Sequence, residues 1–189
     1  MTSSTRLKGL TGRDAQSAPE GSKAILKGAL TQIGYIPNMY ANMANSPGLL
    51  GTYRFGYDAF RKDSGFSDTE QEVVFLAISR FHSCTYCVAV HSGIAKLNKV
   101  PSEVIDALRN GSVIVDPKLE TLRQFTEEMV DTRGRPTPES LSRFLDAGYT
   151  EIQVLEIILA IAVKTISNYS NHQFDTSLDS RFAPYEWQV

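Results

Sequence analysis

Between Glu72 and His91 the chain reads EVVFLAISRFHSCTYCVAVH. Four side chains in this run stand at a spacing suited to proton or electron exchange: Glu72, Cys84, Cys87 and His91. Cys84 and Cys87 are the only two cysteines, and His91 is one of three histidines. The cysteines stand three apart, and Cys87 and His91 four apart, so a helix would put neighbours on one face. A thiol acts as a nucleophile through its thiolate, which a helix start or an adjacent imidazole favours. Ser83 is placed to cap a helix beginning at Cys84, where free N–H groups and the helix dipole favour anions. Cys87, one turn before His91, can pass its proton to the imidazole. Glu72, on the preceding helix, can orient His91 if the two helices pack side by side. The expected roles are Cys87 as nucleophile, His91 as base, Glu72 as orienter and Cys84 as resolving thiol. A structural zinc on the same four side chains is the rival, although three residues between Cys87 and His91 is tight for a zinc knuckle. Each residue also has an ordinary role: a buried thiol is a small hydrophobe, Glu72 a solvated helix residue, His91 a core histidine.

Weaker candidates surround this group. His82 points either into the same region or to solvent. Tyr86, between the cysteines, could donate its O–H to a bound peroxide or simply pack. Asn168, Asn171 and His172 are expected to satisfy buried backbone or line an interface rather than catalyse. No glycine-rich phosphate loop supports a nucleotide-dependent reaction.

The elements that must position these residues read as helix after helix. Pro19 opens one that ends near Gly34, and Pro37 begins a short one. Ser46-Pro47 opens a segment through Phe60. Ser67 to Glu70 is a capping box with Phe66 as staple. Pro101 opens a helix that Gly111 ends. Leu119 to Val130 has apolar residues at helical spacing. Thr137-Pro138 opens a short helix that Gly148 closes. Thr150 and Gln153 form a second capping box ahead of a helix through Ile166. No alternating strand run competes, so the expected class is all-α.

A shift of 83 residues overlays 65–91 on 148–174. Gly65-Phe66-Ser67 falls on Gly148-Tyr149-Thr150, and Leu76-Ala77-Ile78 on Leu159-Ala160-Ile161. Glu72 falls on Leu155, Cys84 on Ser167, Cys87 on Ser170 and His91 on Phe174. The expectation is two matching helix pairs about an approximate two-fold axis, one reactive and one structural.

The chain has 189 residues, enough for one sizeable core. Residues 1–18 read as loose or draped on the surface, and 19–189 as one helical domain. Nineteen basic and 21 acidic residues give a net charge of -2, and no basic run suits nucleic acid. The first twenty residues lack an apolar signal core, and Ile157 to Val163 is too short to span a bilayer. No nucleic-acid or membrane partner is expected. A close cysteine pair in a reducing cytoplasm suggests redox or metal use rather than a structural staple.

Glu, eleven residues, Cys, two residues, Cys, three residues, His resembles the alkylhydroperoxidase D motif of the carboxymuconolactone decarboxylase superfamily, here Glu72, Cys84, Cys87 and His91. GYIPNMYANMANSP and GYTEIQVLEIILAIA resemble the longer, peroxidase-related members. The resemblance implies an all-helical fold of alkylhydroperoxidase D-like type and a homo-oligomer, with a hexamer preferred. It implies no organic cofactor, a hydroperoxide substrate and an external dithiol reductant. It assigns Cys87 as peroxidatic, Cys84 as resolving, and His91 and Glu72 as the proton relay. Tyr86 departs from the disulfide reductase form, which has a histidine there. The lactone decarboxylases do not use the cysteine pair, so its presence points to the redox branch. The expected function is a thiol-dependent peroxidase of peroxiredoxin type. The alternatives are a general disulfide reductase or redox adaptor, a helical scaffold with structural zinc, and lactone chemistry.

Overall fold

Proline and hydroxyl residues set most of the helix starts in the computed structural model, which describes residues 7–189. In chain order the helices are α1 (Glu20–Ile33), α2 (Asn38–Met43), α3 (Pro47–Asp63), α4 (Asp68–Phe81) and α5 (Thr85–Leu97). There follow α6 (Ser102–Asn110), α7 (Pro117–Asp131), α8 (Pro138–Asp146), α9 (Glu151–Phe174) and a 3₁₀ helix (Ser180–Tyr185). No strand occurs among the described residues. Both capping boxes form: Ser67 with Glu70 on α4, and Thr150 with Gln153 on α9. Each side-chain oxygen takes an N–H that the first helical turn leaves unpaired.

Helix α4 is the centre of the domain. Every residue from Glu70 to Ser79 is buried, as expected of a helix packed on all sides. Its neighbours are α5, α6, α7 and α9. Apolar side chains gather in two clusters. One joins α4 to α6, α7 and α8 through Phe75, Leu108, Phe125 and Phe144. The other joins α1, α2 and α3 to the start of α5, and it contains Tyr53, Tyr86 and both cysteines. Helices α3 and α9 meet at Gly56, where a Cβ would stand 2.7 Å from Val163 Cγ2. That close approach sets the depth of α9 beside the second cluster.

Two expectations change. Helix α9 runs to Phe174, beyond the expected end at Ile166. The second copy of the repeat is therefore one continuous helix rather than a helix pair. Beyond Ile166 the apolar period gives way to NYSNHQ, yet the buried face continues through Ser167, Asn168 and Asn171. Helix α9 is long and apolar enough to cross a membrane by length and composition. It instead buries a lysine and two asparagines against protein. Of the N-terminal segment, residues 7–18 lie along α2. Arg13 N donates to Ala41 O at 2.8 Å, Asn45 Nδ2 donates to Thr11 O at 2.8 Å, and Ala18 is buried. Residues 1–6 of that expected segment lie outside the described residues.

Candidate active site

The turn from α4 into α5 places the cysteines. Ser83, at φ 54°, holds the left-handed conformation that usually falls to glycine. Ser83 N donates to Arg80 O at 2.8 Å, and Cys84 N to Ser79 O at 2.9 Å. Together they close α4 with a Schellman motif. Cys84, not Ser83, is then the cap residue of α5. The expected serine cap fails because Ser83 is already committed to ending α4. Val88 N, bonded to Cys84 O at 2.9 Å, is the first amide satisfied within α5. The amides of Thr85, Tyr86 and Cys87 thus form the positive end of this helix.

Both thiols are buried and free. Cys87 lines a cavity of about 260 Å³ and Cys84 lies behind it. Tyr40, Tyr53, Tyr57, Tyr86, His91 and Lys164 share the cavity wall with Cys87. Asn171 Nδ2 lies 3.2 Å from Cys87 Sγ and 4.0 Å from Cys84 Sγ, so one amide reaches both sulfurs. Burial pushes the Cys87 thiol up. A hydrogen bond from Cys84, the Lys164 ammonium and the amides of Asn171 and Asn168 outweigh it and bring it below the ordinary thiol range. Cys84 moves the other way: its hydrogen bond to Cys87 and its burial favour the thiol. Of the two, Cys87 is the thiol whose surroundings favour the thiolate.

Glu72 and His91 meet as their spacing suggested. Glu72, wholly buried, receives Arg61 Nη2 on Oε1 and lies 2.9 Å from His91 Nδ1 through Oε2. Burial opposes its charge, but His91 and Arg61 prevail and hold its carboxyl below the usual range. A carboxylate only accepts hydrogen bonds, so Nδ1 carries the imidazole proton and Nε2 keeps its lone pair. Burial, with the Lys164 ammonium, lowers His91 to about 4. The ring is uncharged at neutral pH. His91 and Cys87 face the same cavity one turn apart, without a hydrogen bond between them.

The other candidates find definite places. Tyr86 O–H donates to Asp179 Oδ2 at 2.5 Å, and Asp179 Oδ1 accepts Asn38 N at 3.0 Å. This bond ties the C-terminal segment over the site. There Phe182 packs so closely on Gly93 that a Cβ would meet it at 2.6 Å. His82 Nδ1 lies 2.9 Å from Asn168 Oδ1. Asn171 donates to the Cys87 sulfur rather than to backbone, and Asn168 Oδ1 is taken up by His82. No group of three or more His, Cys, Asp or Glu converges as metal ligands among the described residues.

Lys164 was not singled out in the sequence. It is 1% exposed, and its Nζ stands 5.5 Å from the centre of the Phe75 ring. A lone lysine on a helix usually reaches solvent. The signal was its register: Lys164 lies on the α9 stripe that includes Ile157, Ala160, Ser167, Asn168 and Asn171.

Residues 50–128, from α3 into α7, match the model of the Carboxymuconolactone decarboxylase family. No curated protein matches the chain. Among solved structures, it is similar to the alkylhydroperoxidase AhpD core of an uncharacterized peroxidase-related protein from Ralstonia eutropha JMP134. That likeness has a TM-score of 0.81 at 18% identity over 92% of this chain and 93% of the other. A peroxidase-related protein from Silicibacter sp. TM1040 follows at TM-score 0.74 and 15% identity, covering 87% and 88%. The debrominase Bmp8, as a cysteine-to-alanine variant in complex with 2,3,4-tribromopyrrole, matches at TM-score 0.75 and 17% identity, covering 94% and 95%. The family match covers less than half of the chain, and the likeness to these structures shows that the fold is of alkylhydroperoxidase D-like type. The matched residues contain Glu72, Cys84, Cys87 and His91, whereas Lys164, Asn168 and Asn171 lie outside them.

Proposed function

We propose that the protein is a thiol-dependent peroxidase acting through Cys87 and Cys84. The observation that carries this is Cys87 Sγ at the wall of an aromatic cavity, with the Asn171 amide 3.2 Å away and Cys84 behind it. The Cys87 thiolate attacks the distal oxygen of a hydroperoxide. The O–O bond breaks, the alcohol leaves once its oxygen is protonated, and Cys87 becomes a sulfenic acid. The Cys84 sulfur then attacks Cys87, forming a disulfide and releasing water. An external dithiol restores both thiols by exchange, which suits a reducing cytoplasm. His91, held by Glu72, is the proton acceptor for the incoming thiol. The apolar and tyrosine-lined walls fit an organic hydroperoxide better than a small polar one. Cys87→Ser should abolish turnover with cumene hydroperoxide. Cys84→Ser should react once and accumulate a sulfenic acid that dimedone labels on Cys87. Label on Cys84 in the Cys87→Ser protein, and none on Cys87 in the reverse mutant, would exchange the roles.

A second reading comes from the likeness to the debrominase. A thiolate can take bromine from a ring carbon as that carbon gains a proton, giving a sulfenyl bromide, and the second thiol, losing its proton, then displaces bromide as the disulfide forms. The same cavity would then hold a flat halogenated ring among its tyrosines. Bromide release from a bromopyrrole in the presence of dithiothreitol, with no consumption of hydroperoxide, would favour it.

Assembly is part of the proposal. Phe55 on α3 is 81% exposed, and Ile152 and Leu155 at the start of α9 are exposed as well. An apolar surface of that kind is normally covered, and we assign it to a homo-oligomer interface. Sedimentation at micromolar concentration should give a species well above the 20.9 kDa monomer. Leu155→Glu should shift it toward the monomer.

A further inference from the structure

We infer that Lys164 is a catalytic residue: its ammonium is the counter-ion of the Cys87 thiolate and the proton donor to the alcohol that leaves the peroxide. The inference rests on the peroxidase reading for the second role, but not for the first.

The argument begins with a buried charge. An ammonium removed from water is costly unless an anion faces it. Among the described residues no carboxylate lies within ion-pair distance of Lys164 Nζ. Several titratable groups face this region. Helix α3 supplies Tyr53, Tyr57 and Arg61, α4 supplies Glu72, and α5 supplies Cys84, Tyr86, Cys87 and His91. The C-terminal segment adds Asp179 and Arg181. Most cannot balance Lys164. Glu72 is engaged by Arg61 and His91. Asp179 is engaged by Tyr86 and Asn38. Burial holds the Tyr53 hydroxyl above its ordinary range and Tyr57 at about 12, so both are neutral. His91 is neutral and Cys84 keeps its proton. The Cys87 thiolate is the anion that remains.

Geometry puts the two together. Lys164, Asn168 and Asn171 stand at helical spacing on the buried stripe of α9, and Asn171 Nδ2 touches Cys87 Sγ at 3.2 Å. Lys164 and Cys87 line the same cavity. The lysine is held over Phe75, whose ring centre lies 4.9 Å from that of His91.

Proton accounting gives the second role. When the thiolate attacks, the departing alkoxide needs a proton. His91 has none to give, since Nδ1–H faces Glu72 and Nε2 is bare. The Tyr86 proton is held by Asp179. Lys164 can supply it. The balance is thiolate plus ammonium plus hydroperoxide giving sulfenic acid, amine and alcohol. The amine next takes the proton of Cys84 and returns it to the hydroxide released as the disulfide forms, giving water. A neutral amine then faces a neutral disulfide. Reduction by the dithiol supplies the two electrons and two protons that restore Cys84 thiol, Cys87 thiolate and ammonium. Lys164 is charged only while an anion faces it.

The test compares wild type with Lys164→Met and Lys164→Arg in the full chain, with circular dichroism as the folding control. Iodoacetamide alkylation of Cys87 across pH, followed by intact mass, reads the thiolate without any peroxide. Lys164→Met should raise the apparent pKa by about 1–3 units, the span for losing an opposite charge nearby. Lys164→Arg should restore most of it. An unchanged profile in folded Lys164→Met would overturn the counter-ion role. Rates are then corrected for thiolate fraction and compared for cumene hydroperoxide and peracetic acid. A carboxylate leaves without a proton and an alkoxide does not. Lys164→Met should lose about 10²-fold or more on the hydroperoxide and little on the peracid. Equal losses would overturn the donor role. A wild type inert to both oxidants would refute the peroxidase reading and the donor role with it, while alkylation would still decide the counter-ion. Should Lys164→Met not fold, Lys164→Gln serves in its place under the same outcomes.

Discussion

Helices α4 and α9 begin alike and end differently. Each opens with a hydroxyl capping box, a preceding glycine at positive φ and an aromatic residue before the cap. Each carries Leu-Ala-Ile at the same distance from its start. At position 83 the first copy has Ser83, and the second has Ile166. A serine can be forced into the left-handed region, where a β-branched isoleucine is strongly disfavoured. The first copy therefore breaks, and α5 starts at a new angle with Cys84 as its cap. The second copy runs straight on and lays Lys164, Asn168 and Asn171 across the break. The first copy carries the thiols, the carboxylate and the imidazole, and the second places Lys164 on the same cavity wall and the Asn171 amide on the Cys87 sulfur.

That division can be broken from either side. The largest loss should come from the imidazole. His91→Ala should slow reduction of the Cys84–Cys87 disulfide by the incoming dithiol about 10²–10⁴-fold, the range for a missing acid–base group. Glu72→Gln, which leaves His91 in place without its anchor, should cost about 10–100-fold. The pH profile sharpens this. His91 titrates at about 4 and acts when uncharged, and the Cys87 thiol is also lowered. Wild-type turnover should therefore hold from pH 8 down to about pH 6 and fall near pH 5, as the Cys87 thiolate and then His91 take up protons. A fall already centred near 6.5 would mean that burial does not control the ring.

From the α9 side, Asn171→Leu removes the amide on the Cys87 sulfur. A hydrogen bond to a charged group is worth about 1.5–3 kcal/mol. The apparent Cys87 pKa in alkylation should rise by about one to two units. Unchanged alkylation would mean that the amide positions the thiol without charging it. The smallest effect concerns the break itself. Ser83→Gly removes left-handed strain and should raise the unfolding free energy by about 1 kcal/mol in urea titrations. Ile166→Gly, at the matching point of α9, should lower it by at least about 1 kcal/mol. The same sign at both sites would deny that the two copies differ for the reason given.

Much of the fold was legible because caps are local. Ser67 with Glu70, Thr150 with Gln153, and prolines at first helical positions act over three or four residues, and spacing in the chain is spacing in the helix. The Glu72–His91 meeting was legible for a related reason: two consecutive helices joined by a short turn pack side by side. Three features were not. Ser83 looked like a cap because serine favours caps, but only the finished turn decides whether an N–H is free or already used. Helix α9 was cut short because its last third buries amides instead of aliphatic side chains, and periodicity counts only the apolar ones. Lys164 was passed over because type alone cannot distinguish a solvated ammonium from a buried one.

The sequence by itself determined the helices, their caps and the group Glu72, Cys84, Cys87 and His91, since each depends on neighbours within a few turns. The tertiary structure alone decided which thiol sits where a thiolate is favoured. That choice depends on a cation and an amide more than seventy residues away, Lys164 and Asn171, brought in by the close approach of α9 to α3 at Gly56. Electrostatic interactions are set by distance and burial, and neither is written along the chain.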